Sequence, residues 1–237
     1  MRVHRPIFAL AVVAAALLLA AGPGTRAGLW SFSTGFELLR WGAYLGVAAV
    51  VVAVAGLVWR PEGIRVGVLV AALLVALGVT LVPWRWRRAA KSVPPIHDIT
   101  TDTRNPPAFV AILPLRAAAP NSAVYGGPEL AAAQQAAYPH VVPLTLPVQP
   151  AVAFTRALEA AHGMGWELVA ADSASGRIEA TATTRWFGFK DDVVVRVGPA
   201  PEGSRIDVRS VSRVGRSDVG TNARRIRSYL AKIRATS

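Results

Sequence analysis

Cysteine is absent from the 237-residue sequence, so disulfides, thiol nucleophiles and thiolate metal sites are excluded. Both reducing and oxidising compartments tolerate a cysteine-free chain, so its absence assigns no location. Charge is scarce too: 17% of residues carry it, against 53% that are hydrophobic. That balance departs from ordinary soluble domains toward membrane proteins. Acidic residues almost vanish from residues 1–91, where Glu37 and Glu62 stand against ten Lys and Arg. Residues 92–237 hold sixteen basic and twelve acidic groups, so most of the formal +12 lies in the first stretch. No GxxxxGK[ST] phosphate loop, HExxH zinc motif, GxSxG nucleophile elbow or GxGxxG turn after a strand occurs.

What is present begins with three apolar runs, Ile7 to Gly22, Trp41 to Trp59 and Val66 to Trp84. About 20 helical residues cross a bilayer. Trp41, Trp59, Trp84 and Trp86 bound the second and third runs, with Arg40, Arg60, Arg65, Arg85, Arg87 and Arg88 outside them, the pattern of spanning helices. The first run follows Arg2 and Arg5 and ends in Ala20, Ala21 and Gly22, so it reads as an uncleaved span or as a cleaved secretory signal. The expectation is therefore two to three spans over residues 1–91, with retention of the first preferred. Orientation signals conflict. The basic N-terminus favours an inside start, whereas Arg2, Arg5, Arg60 and Arg65 are outnumbered by Arg26, Arg40, Arg85, Arg87, Arg88 and Lys91 on the other side. Gly42 with Gly46, and Gly63 with Gly67, have small-xxx-small spacing but read as ordinary glycines of an Ala/Gly-rich region. The second and third spans contain no Asp, Glu, Lys or His, so there is no ion relay on which to build a transporter.

Residues 92–150 are extended and irregular, because prolines from Pro94 to Pro150 recur every few residues and forbid a long helix. One short helix fits between Pro128 and Ala137. Phe109, Ile112, Leu113, Leu115, Tyr125 and Tyr138 are apolar anchors that a free linker does not need, so the segment is expected to lie against the domain.

Residues 151–237 form the α+β core. Phe154, Leu158 and Ala161 mark a helix stopped by Gly163 or Gly165. Four strands are predicted at 166–171, 177–186, 191–197 and 205–214, the simplest arrangement being a four-stranded antiparallel sheet packed with helices. In the last of these, Ile206, Val208, Ser210, Ser212 and Val214 face one way, while Arg205, Asp207, Arg209, Val211 and Arg213 make a charged outer row. A final amphipathic helix follows from Val219, Ala223, Ile226, Leu230 and Ile233, with Ser217 placed to cap it and Asp218 to complement its dipole. Residues 205–237 hold nine basic and two acidic groups, net +7, a polarity suited to anionic headgroups or an acidic partner.

Several blocks carry a resemblance: Ile96-His97-Asp98-Ile99-Thr100-Thr101-Asp102 with Pro106-Pro107-Phe109; Tyr138-Pro139 with Pro143-Leu144; Arg177-Ile178-Glu179-Ala180 with Phe187-Gly188-Phe189-Lys190-Asp191-Asp192; and Asp207 to Gly215 with Ser217 to Gly220 and Asn222. In order and spacing they resemble the family called domain of unknown function 1499, from about Ile96 to the C-terminus. The family brings no activity. Its members are similar to bacterial envelope and plastid proteins, often behind a signal or membrane segments. The resemblance thus implies an integral protein of the bacterial inner membrane with its soluble domain on the periplasmic side.

The polar residues in ordered surroundings are His97, Asp98 and Asp102 on one extended segment, Lys190, Asp191 and Asp192 at a turn, and Arg209, Arg213 and Arg216 near Asp218 and Asn222. They can be cast as acid, base and anion stabiliser. They are equally what a salt-bridge network needs to hold irregular segments on a sheet. His97 and Asp98 lack enough companions for a metal, since only His140 and His162 remain in the domain, so neither metal nor cofactor is expected. The pI near 11.4 raises nucleic acid as a partner, but much of the charge is accounted for by anchoring, and stacking aromatics are few. The reading is a membrane-anchored, non-catalytic binding or scaffold module for an anionic ligand, lipid or envelope protein, meeting it on the Arg-bearing sheet face or the basic helix. The alternative is an envelope hydrolase or transferase using Asp98/Asp102 or Asp191/Asp192 as acid and base.

Overall fold

The computed structural model describes residues 4–60 and 62–235, so Arg2 of the basic N-terminus lies outside the described residues. The chain divides into two compact units, Met1–Ala89 with Arg185–Gly188, and Ala90–Thr184 with Phe189–Ser237.

The first unit is built on α1 (His4–Arg26), α2 (Phe32–Trp59) and α3 (Val66–Lys91), each long and apolar enough to cross a membrane. All three overrun the apolar runs read from sequence, α1 at both ends, α2 through residues 32–40 and α3 through residues 85–91, because helical hydrogen bonding does not stop where the apolar run does. The Ser31 hydroxyl accepts the Thr34 amide at 3.2 Å to start α2, and Arg60, at φ 44°, returns its amide to the Gly56 carbonyl to close it. Gly42 and Gly46 are not ordinary span glycines. A Cβ on Gly42 would stand 3.1 Å from the Ala14 carbonyl oxygen of α1, and one on Gly46 would stand 2.9 Å from Thr80 Oγ1 of α3. The pair thus lets α2 approach both neighbours, whereas Gly63 and Gly67 face open space.

The second unit is a six-stranded antiparallel sheet with helices, rather than the predicted four strands. It comprises β1 (Asp98–Thr100), α4 (Gly127–Ala137), β2 (Leu144–Leu146), α5 (Pro150–Gly163), β3 (Glu167–Asp172), β4 (Arg177–Thr183), β5 (Lys190–Ala200), β6 (Gly203–Ser212) and α6 (Thr221–Ala235). Strand order is β1-β6-β5-β4-β3, and β2 also pairs with β6. The four long strands are the four that were predicted. The added two are three-residue strands inside the proline-rich segment, too short to show a period of two. They dock end to end on one edge, β1 against Arg209–Val211 and β2 against Ser204–Ile206. Gly203 makes the β5–β6 corner possible: its φ is 129°, and a Cβ there would fall 2.3 Å from the Leu146 carbonyl oxygen.

On one sheet face Ile178, Val193, Val195, Ile206 and Val208 meet Phe154 and Ala157 of α5 and Ile226, Tyr229 and Ile233 of α6. Full burial of such side chains supplies about 1.5–3 kcal/mol each. The Tyr229 hydroxyl donates to the Ala157 carbonyl at 2.7 Å, tying the two helices together, and burial pushes its pKa up. The start of α6 departs from expectation. Val219 lies before the helix at φ 52°, a left-handed conformation costly for a β-branched residue. The capping acceptor is Asp218, which takes the Gly220 amide at 2.8 Å and the Asn222 amide at 2.7 Å. Ser217 Oγ instead accepts from Val219 N.

Candidate functional site

The second sheet face carries the charged row. In antiparallel pairing, opposed residues share a face, so Asp98 of β1, Val211 and Arg209 of β6, Asp192 and Val194 of β5 and Glu179 and Thr181 of β4 all project to this side. It is not an open surface. The segment around residues 105–125 covers it, and Arg209 retains 3% of its accessible area, Asp192 and Glu179 none. The physical reason is a small second core of Phe109, Ile112, Val194 and Val211, reinforced by carboxylates that satisfy the covering segment's backbone.

Glu179 shows how. Its carboxylate accepts the amides of Val110 (3.0 and 3.1 Å), Ala111 (3.1 Å) and Ile112 (2.9 Å), and pairs with Arg177 Nε at 3.0 Å. Asp192 accepts from Thr181 Oγ1 at 2.8 Å and bidentately from Arg213 at 2.8 Å, while Arg116 of the covering segment completes the set. Asp98 receives Arg209 bidentately at 2.9 and 2.7 Å. The same guanidinium donates to the Ala123 carbonyl at 2.8 Å and sits 5.2 Å from the Phe109 ring and 5.4 Å from the Tyr125 ring. Burial first, then the Asp98 charge, pushes the Tyr125 hydroxyl up to about 12. Asp102 belongs to a fourth cluster, with Arg205 at 2.9 Å and Arg196 at 3.4 Å, both of which also pair with Asp207.

Asp191, next to Asp192 in sequence, lies on the opposite, helix-bearing face, where it pairs with Arg225. Asn222 of α6 donates to the His97 carbonyl at 2.8 Å and to Ser212 Oγ at 3.0 Å, and accepts from Ser210 Oγ at 2.8 Å. Burial raises the pKa of nearby Asp218; the Asp191 charge adds to that, and the Gly220 and Asn222 amides and Arg225 oppose it.

The eleven residues singled out from sequence are thus distributed rather than convergent. Asp98 with Arg209 is a buried pair, and buried Asp192 with the partly buried Arg213 a second pair, on one face; Asp191, Asn222 and Asp218 gather on the other with the His97 backbone; Asp102 stands in its own cluster; Lys190 and Arg216 are exposed. Among the described residues, no group of three or more His, Cys, Asp or Glu is placed to hold a metal ion. Sequence reasoning missed Glu179, Arg116 and Gln134 as determinants of this architecture. Gln134, buried on α4, takes the Thr100 amide at 2.9 Å and returns a hydrogen bond to its carbonyl at 2.6 Å, standing in for a neighbouring strand on β1. A lone polar pair in the Ala-rich run 131–137 was the available signal.

Outside these clusters, α6 presents a basic face. A groove of about 570 Å³ runs along it, lined by Arg224, Arg227, Ser228, Ala231 and Arg234 of the helix, with Leu230 beneath and His140 and Val142 as a side wall. Arg224 is held by hydrogen bonds to the Val219 carbonyl and to Thr221 Oγ1, both 3.0 Å. Among the described residues, no carboxylate pairs with Arg227 or Arg234.

An antiparallel sheet with α5 and α6 on one face and a proline-rich cover on the other, carried behind apolar helices, defines a membrane-associated α+β protein. The chain belongs to the family described as Protein of unknown function (DUF1499), whose model matches residues 98–233. The match runs from the first residue of β1 to Ile233, a fully buried residue in the last turns of α6, and leaves the three apolar helices outside. No curated protein matches the chain.

Proposed function

We propose that the protein is a membrane-anchored, non-catalytic binding module of the bacterial inner membrane, with its soluble domain on the periplasmic side and an anionic ligand taken on the basic face of α6. The supporting observation is a division of labour among the charges. The arginines and carboxylates of the sheet are used inside the domain, whereas Arg227 and Arg234 stand exposed on α6 without an acidic partner among the described residues. Two further features favour binding over acid–base chemistry. Asp191 and Asp192 project from opposite sheet faces, so they do not address one substrate together, and both Asp98 oxygens are engaged by Arg209.

The test uses the full chain in maltoside micelles, titrated with dextran sulfate at several salt concentrations. Arg227→Gln with Arg234→Gln is expected to weaken binding and flatten its salt dependence, while Lys190→Gln with Arg216→Gln leaves both unchanged. Equal effects from the two pairs would refute the assignment to α6. A reporter active on one side of the membrane, fused after Ser237, tests the periplasmic placement.

A further inference from the structure

We infer that the α6 groove is a site for the phosphodiester headgroup of an anionic lipid; this rests on the anionic-ligand reading and names its chemistry. A solvated helix face needs only charge, yet this one is concave and mixed. Residues 224, 227, 231 and 234 lie on one stripe, spanning about 15 Å of helix at 1.5 Å per residue. Along it the small Ala231 opens a floor between Arg227 and Arg234, and the apolar Leu230 and Val142 form part of the lining. Val142 remains 51% exposed although it is flanked by buried Val141 and near buried Leu144. The ligand that suits such a lining carries anionic oxygens beside hydrocarbon.

Size points the same way. The groove, about 570 Å³ and open to solvent along one side, has room for more than one inorganic anion. Guanidinium forks match phosphoryl oxygens bidentately. Arg224 is already fixed by the Val219 carbonyl and Thr221, so it loses little entropy on binding, and Arg227 and Arg234, without acidic partners among the described residues, are available to close on the ligand. The inward face of α6 is committed to the core through Ile226, Tyr229 and Ile233, which fixes the basic stripe outward.

The experiment is calorimetric titration of the full chain in phosphate-free maltoside micelles with four probes: dihexanoyl phosphatidylglycerol below its micellar concentration, glycerophosphoglycerol, inorganic phosphate and glutarate. The expected order is the short-chain lipid at least tenfold tighter than glycerophosphoglycerol, and both tighter than phosphate and glutarate. Arg227→Gln with Arg234→Gln should weaken lipid binding at least tenfold with an unchanged melting profile. Val142→Ser should weaken the lipid and leave glycerophosphoglycerol unaffected. Glutarate binding as tightly as the phosphodiesters, with both lost in the arginine variant, overturns the phosphodiester while the anionic reading stands. Inorganic phosphate matching the lipid identifies a free-phosphate site and overturns the lipid. Binding that the arginine variant leaves intact, or no binding by any probe, overturns the proposal and the reading beneath it together.

Discussion

Replacing Glu179 with Gln tests whether the proline-rich cover is held by charge. Gln preserves shape but keeps one acceptor oxygen and presents an amide donor to backbone donors. Whichever way it turns, its NH2 opposes either the Ala111 or the Ile112 amide, each now within about 3 Å of a carboxylate oxygen. A buried N–H left without an acceptor costs about 1–3 kcal/mol, and charge-assisted bonds to the rest, worth about 1.5–3 kcal/mol each, weaken to neutral ones. The Arg177 ion pair is lost as well, contributing little because Arg177 is partly exposed. The total is about 3–5 kcal/mol, a large share of the 5–15 kcal/mol typical of a domain. Hydrogen exchange by mass spectrometry on the full chain in detergent reads the effect by region. Peptides covering 105–125 should lose at least about 100-fold in protection, from about 1.4 kcal/mol per tenfold, with β5 and β6 less affected. A loss below tenfold in 105–125, or an equal loss throughout the sheet, would refute the role given to this carboxylate.

Two further predictions concern other parts of the chain. Asp218 has its folded pKa raised by burial, so the folded state holds its proton to higher pH than the unfolded state does; the associated stability is present below the ordinary carboxylate range and is lost as pH rises through the raised value. Urea midpoints of the full chain from pH 4 upward should therefore fall more steeply than those of Asp218→Asn, and parallel profiles would contradict this. In the membrane region, Gly46→Val forces α2 away from Thr80 and Val79 and should destabilise the helical unit by about 1–3 kcal/mol in dodecyl sulfate titrations, whereas Gly67→Val, with open space around it, should not.

The elements with a long period were legible. Alternation read along residues 177–186 and 205–214 and the spacing of Ala223, Ile226, Leu230 and Ile233 in α6 specify strand and helix because side-chain direction repeats with the backbone. What alternation does not carry is the fate of the second face. A row such as Arg205, Asp207, Arg209 reads as solvated because isolated charges stay in water; Arg209 is buried here because Asp98 reaches it from a distant segment, and Asp207 because Arg196 and Arg205 flank it, while Arg205 itself stays partly exposed beside Asp102. Phe109 and Ile112 announced that cover, and both are buried, but Leu113 and Leu115, read as anchors with them, remain exposed. The short strands β1 and β2 were illegible because their pairing partner, not their own sequence, makes them strands. For the candidate site, residue type was visible and grouping was not: nothing in Asp191-Asp192 says that one step of the pleat sends each into a different network.

The docking of β1 and β2 on one edge of β6 bears on how the domain is made. Residues 98–146 are synthesised first, yet their hydrogen-bonding partner, 203–212, emerges about sixty or more residues later. Until then Asp98 lacks Arg209 and Asp192 lacks Arg213, and β1 and β2 have no strand to join. A chain stalled before β6 therefore holds β3, β4 and β5 without the strand that β1 and β2 need, leaving their backbone donors and acceptors unpaired and open to a protease.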